Sequence, residues 1–190
     1  MEPIISIAHF KMQFGKTEVI KDLSFEVKRG ETFGFLGSNG SGKTTTIRAL
    51  LGIYQPTAGE LLVGGKPYSV SSGIKLGYLP EERGLYKKEP VIDIMTYFGQ
   101  LKGMSRLNAR QKSLDFLKRV DLLDKAKTRL DKLSGGQQQK VQLGITVIDN
   151  PELLILDEPT KGFDPVNRRL LMEIIEEHQA KGATVIMITH

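Results

Sequence analysis

Gly37-Ser38-Asn39-Gly40-Ser41-Gly42-Lys43-Thr44 joins a short apolar run, residues 32–36, to residues 43–51, which hold good helix formers and no Pro or Gly until Gly52. The stretch fits G-x-x-x-x-G-K-[ST]. In that pattern glycines let backbone N–H groups wrap phosphate oxygens where a Cβ would clash. Lys43 offers a point charge to the outer phosphates, and the Thr44 hydroxyl can ligate Mg²⁺. A strand before the loop and a helix after it point the helix's positive dipole end at the anion. Thr45 then follows Thr44 in the first helical turn.

Upstream, residues 4–10 and 19–27 are β-branched or alternating, with Phe14-Gly15-Lys16-Thr17 as the turn between them, so they read as a hairpin. Downstream, residues 61–63 and 76–79 read as further short strands. From Pro90 to Ile148 the period becomes helical, through Val91, Ile94, Met95 and Phe98 and then Leu107, Leu114, Leu117 and Val120. Residues 153–156 return as a buried strand. Residues 166–181 form an amphipathic helix with Leu170, Leu171, Ile174 and Ile175 on one face and His178 packed beside them. Gly182 stops that helix, and residues 184–189 are a last buried strand. Strand–helix units flanking a helical block predict a mainly parallel α/β core with an all-helical insertion.

Two further motifs carry chemistry. Leu133-Ser134-Gly135-Gly136-Gln137 opens a helical sequence, with Ser134 at the N-cap and two glycines leaving bare N–H groups in the first turn. That is an anion site without a lysine of its own; taken alone it is also a plain helix cap. Leu153-Leu154-Ile155-Leu156-Asp157-Glu158-Pro159 ends an apolar strand in two carboxylates. Neighbours on a strand point to opposite faces, which suits Asp157 to hold Mg²⁺ and Glu158 to polarise an attacking water. Open α/β sheets bind ligands at the carboxyl ends of their strands.

Composition sets the outer limits. The 190 residues suffice for one sizeable core, or one core with a small subdomain. Cysteine is absent, which excludes disulfides and thiolate metal sites. No uncharged apolar run approaches the ~18 residues of a membrane span, so any membrane role must come through a partner. The formal net charge of +5 is scattered rather than clustered, and it points to no nucleic-acid partner.

The glycine loop, the second glycine turn and the paired carboxylates, in that order, resemble the ATP-binding cassette (ABC) ATPases, and the resemblance covers essentially the whole chain. It implies a P-loop NTPase α/β core with a mainly parallel sheet and an N-terminal antiparallel β part. That core comprises residues 1–80 and 149–190, and an inserted α-helical subdomain comprises 81–148. It implies ATP and Mg²⁺ as cofactors, with Gly37 to Thr45 at the phosphates, Glu158 as catalytic carboxylate, and Thr44, Asp157 and Glu81 at the metal. Two cassettes of the family pair head to tail. Ser134, Gly135, Gly136 and Gln137 would thus complete the site of a partner, here a second copy of the chain. Phe14 stands where the family stacks an aromatic on adenine, although hairpin packing is an equal reading of it. Gly162-Phe163-Asp164-Pro165 resembles the family's D-loop, with Asp164 as its acid and Phe163 where Leu is usual. His190 matches the switch histidine, which implies a catalytic role in contact with the γ-phosphate.

The same resemblance implies a separate integral membrane permease, a place on the cytoplasmic face of the membrane, and export as the direction, by likeness of residues 80–86 and 157–162 to exporter cassettes. The alternative is a soluble ABC ATPase of DNA repair, chromosome structure or translation. The interval between Thr44 and Leu133 is too short for the long coiled coil of chromosome members, and the cysteines of zinc-bearing repair members are lacking. A non-hydrolysing, ATP-gated dimer is disfavoured by the presence of Lys43, Asp157 and Glu158. Family members continue for tens of residues past the switch histidine. The expectation for a chain that stops at His190 is therefore ATP binding with slower hydrolysis than a version extended beyond it.

One departure is directly testable. The family usually has Gln where this chain has Glu81, which can ligate Mg²⁺ but adds negative charge beside a triphosphate. Glu81→Gln is expected to retain ATP hydrolysis in a phosphate-release assay; loss of turnover would contradict this.

Overall fold

The computed structural model describes residues 2–82 and 84–189, the side chain of Val70 excepted. Strands β1 (Pro3–Phe14) and β2 (Thr17–Lys28) form the expected hairpin, longer at both ends than apolar alternation suggested. The ladder runs down to Phe14↔Thr17 around the two-residue turn Gly15-Lys16. Strand β4 (Ala58–Val63) joins the free side of β1, giving an antiparallel sheet of order β2-β1-β4.

The second sheet is wholly parallel, in the order β3 (Thr32–Leu36), β7 (Thr184–Thr189), β6 (Leu153–Asp157) and β5 (Leu76–Leu79). Strand β6 is buried along its whole length, because both faces of the sheet are covered. Its alternate residues divide between two apolar clusters. Leu153 and Ile155 join Ile186 and Ile188 of β7, Ile47 and Leu50 of α1 (Lys43–Leu50), and Ile5 and Phe10 of β1. Leu154 and Leu156 face the other way, with Val185, against Leu171, Ile174 and Ile175 of a later helix, α5 (Pro165–Ala180). The helix following the glycine loop thus belongs to the cluster that joins the two sheets, and its position is set by burial rather than by propensity.

Three helices make up the middle of the chain: α2 (Val91–Leu101), α3 (Arg106–Arg119) and α4 (Gly135–Val147). Val91, Ile94 and Met95 of α2, Leu117 of α3, and Val141 and Ile145 of α4 share a third apolar cluster. Leu107 departs from expectation: it is 82% exposed. It lies in the first turn of α3, before the helix reaches its neighbours, so matching the helical period did not bury it. Gly144 sets the closeness of α4 to the others. A Cβ there would lie 2.5 Å from Phe116 Cδ1 and 2.8 Å from Met95 Cε.

That close approach yields a test. Gly144→Ala is expected to lower unfolding free energy by about 1–3 kcal/mol through overpacking, read from urea denaturation. A variant as stable as wild type would mean that α2 and α3 yield freely.

Candidate active site

Because β3, β5, β6 and β7 are parallel, their carboxyl ends open on one rim. The glycine loop leaves β3 there and enters α1 through Gly42, whose φ of +89° requires glycine. Space requires it too, since a Cβ would lie 2.2 Å from Ile20 Cδ1. Lys43 is buried, and its Nζ donates to the carbonyls of Gly37 (2.5 Å) and Ser38 (3.0 Å), which holds the ammonium over the loop.

Asp157 ends β6 directly across from the start of α1. Thr44 Oγ1 donates to Asp157 Oδ2 at 2.9 Å, linking residues 113 apart in sequence. Burial pushes the Asp157 carboxyl above its ordinary range; the Thr44 hydrogen bond opposes that, while the nearby Glu81 and Glu158 add to it. Glu158 sits differently from expectation. It lies beyond the strand with φ +48°, so strand alternation does not orient it. Its N–H donates to the Ile188 carbonyl of β7 at 3.0 Å, and its own carbonyl accepts from Lys161 N at 3.0 Å. A left-handed non-glycine residue costs roughly 1–3 kcal/mol, a strain typical of functional positions.

These groups line a cavity of about 450 Å³, together with Asn39, Gly40, Ser41, Thr45, Val19, Glu81 and Lys161. Glu81 and Lys161 meet across it, with Nζ 2.5 Å from Oε1. The second glycine turn is placed elsewhere. Ser134 caps α4, its Oγ accepting from Gln137 N at 3.3 Å while Gln137 Oε1 accepts from Ser134 N at 2.9 Å. Ser134 is exposed, and Gly135 and Gly136 are half-buried outside the cavity lining.

A glycine loop and a hydroxyl–carboxylate pair thus share one cavity, with the second glycine turn outside its lining. The ABC transporter family profile matches residues 20–161. The chain belongs to the ABC transporter ATP-binding family. An uncharacterised ABC transporter ATP-binding protein of Methanocaldococcus jannaschii is 44% identical over the whole chain, which covers 69% of that relative. The Nod factor export ATP-binding protein I of Cupriavidus pinatubonensis is 35% identical over 98% of the chain, which covers 58% of that relative. A solved ATP-binding subunit of an ABC transporter superposes with a TM-score of 0.88 at 28% identity, over 98% of this chain and 79% of that one.

The loop residues Asn39 to Thr45, distant in sequence from Asp157 and Glu158, meet them on one rim of the parallel sheet. Thr44 and Asp157 present two hard oxygens 2.9 Å apart, close to the spacing of about 3 Å between adjacent ligands of an octahedral Mg²⁺. The pair fits that ion. Phe14 lies at the hairpin tip, 45% exposed and edge-on to Tyr54 with ring centroids 5.4 Å apart, outside the cavity lining. Asp164 caps α5. Its Oδ1 accepts from Asn167 N at 2.9 Å, and that backbone contact holds its carboxyl below the usual range. His190 lies outside the described residues. His178 is buried on α5, as its helix face required.

Three participants escaped the sequence reading. Lys161 reaches Glu81. Gln139 and Gln142, buried on α4, donate to the carbonyls of Pro159 (3.1 Å) and Glu82 (3.2 Å), so the helix carrying the second glycine turn touches both carboxylate-bearing loops. Two glutamines in step with the buried Val141, Leu143 and Ile145 of α4 were the available signal.

The raised Asp157 pKa has a testable sign. An acid whose folded pKa exceeds its unfolded value costs stability above the folded pKa, and the cost disappears below the unfolded one. Asp157→Asn should therefore raise the melting temperature at pH 7, with the gain shrinking as pH falls toward the ordinary aspartate range. An unchanged or lowered melting temperature at pH 7 would refute this.

Proposed function

We propose that this chain is the ATP-hydrolysing part of a membrane exporter, working as a head-to-tail pair of copies beside a separate permease on the cytoplasmic face of the membrane. The observation that carries the proposal is the Thr44–Asp157 hydrogen bond at the mouth of the glycine-loop cavity, with Glu158 next in sequence. In this reading Lys43 and the loop N–H groups hold the phosphates, and Thr44 and Asp157 hold Mg²⁺. Glu81 has its second carboxylate oxygen to offer that metal while Oε1 holds Lys161. Mg²⁺ bound there would neutralise charge on the phosphates and help align them. Glu158 orients the attacking water and accepts its proton.

Pairing is the reading of Ser134 to Gln137. Ser134 is exposed and none of the four lines the cavity of its own chain, so in this reading their N–H-rich turn meets an anion held by another copy. The division into a core (1–80 and 149–190) and a helical part (81–148) supplies the lever, with Gln139 and Gln142 as its links to the carboxylate loops. Tyr86 and Tyr97 are exposed and packed edge-on with centroids 6.1 Å apart, and Phe98 lies beside both. They offer an apolar surface to a permease. No helix among the described residues is long and apolar enough to cross a membrane. Likeness to a Nod factor export protein favours export.

Glu158→Gln is expected to bind ATP, to hydrolyse it at least about 100-fold more slowly, and to run as a dimer with ATP in light scattering. A variant that binds ATP yet stays monomeric would count against the paired mechanism.

A further inference from the structure

The parallel register creates a charge problem at the cavity mouth. Leu79 of β5 pairs with Leu156 of β6, so Glu81 and Glu158, each two residues further on, leave neighbouring strands at equivalent positions. Both act electrostatically on Asp157 between them. Three carboxylates therefore crowd the place where a triphosphate would sit, and two lysines, Lys43 and Lys161, line the same cavity.

Lys161 is directed at one of these acids. Its backbone is fixed by the turn in which its N–H donates to the Glu158 carbonyl, and its Nζ reaches Glu81 Oε1 at 2.5 Å. The Glu81 contact, first as a hydrogen bond and then as a charge, holds the Lys161 ammonium in its protonated form. Both side chains are accessible to solvent, 62% for Lys161 and 39% for Glu81. Exposed pairs of this kind add little to fold stability. The consequence of the contact falls instead on whatever anion occupies the cavity.

We propose that Lys161 is a positioning residue for the nucleotide: by neutralising Glu81 it lets a carboxylate stand beside the triphosphate, and the two act as one unit. This rests on the ATP-binding reading above. Removing the lysine alone leaves Glu81 facing the phosphates uncompensated. Glu81→Gln removes one repulsion, and the double substitution restores the wild-type balance. Affinity for ATP should therefore be lowest in Lys161→Ala, level in wild type and the double variant, and highest in Glu81→Gln, and ADP, lacking the outermost phosphate, should respond less.

The experiment is calorimetric titration of MgATP and MgADP into wild type, Lys161→Ala, Lys161→Arg, Glu81→Gln and Glu81→Gln/Lys161→Ala, at low and high salt, with melting temperatures measured in parallel. Lys161→Ala should weaken ATP binding about fivefold to tenfold at low salt, and less at high salt. Lys161→Arg and the double variant should stay within about twofold of wild type, with melting temperatures nearly constant. Unchanged ATP affinity in Lys161→Ala would overturn the proposal, as would a double variant as weak as Lys161→Ala. A wild-type chain that binds no MgATP overturns the ATP-binding reading itself and this role with it.

Discussion

The parallel pairing of β5, β6, β7 and β3 is the constraint on which the site depends. Register places Asp157 opposite Ile188 and Leu36 opposite Thr189, so the ends of β6 and β3 open on one rim. The glycine loop and the carboxylates arise there without any local interaction between them in sequence. The Thr44–Asp157 hydrogen bond is then a consequence of two apolar clusters packing on opposite faces of the sheet. Burial of apolar area supplies the energy, at about 25 cal/mol per Å², and the polar contact sets the geometry.

That placement has costs that a purely structural fold would avoid. Asp157 is held where burial disfavours its charge, Glu158 adopts a left-handed backbone, and three acids crowd one cavity. One of the four left-handed non-glycine residues among the described ones, Glu158, thus falls beside the buried Asp157, at the place where the chemistry is proposed to occur. The helices respond to the same rim: α4 reaches it through Gln139 and Gln142, whereas its capping turn lies outside the cavity lining.

Most of the elements were legible because they rest on local rules. Strand β5 and strand β7 fall where hydrophobic runs placed them, and α1 begins at Lys43 as the glycine loop required. The hairpin was recognisable from its turn, but its length was not, since the outer residues of β1 and β2 are held by pairing rather than by apolar alternation. Leu107 misled because periodicity reports a face without reporting what covers it. The orientation of Glu158 misled because the strand ends one residue earlier than the pattern implied.

The sequence by itself determined the chemistry available: a phosphate-wrapping loop, a hydroxyl and carboxylates for a metal, a general base, and an N–H-rich turn. Each is a short-range pattern, and short-range patterns survive in one dimension. Only the tertiary structure decided which of these groups meet. It joined Thr44 to Asp157, set Glu81 against Lys161, and left Ser134 out of the lining of its own chain's cavity. Such meetings depend on strand order and register, which are fixed by burying two faces of one sheet at once, and no local run of residues encodes that requirement.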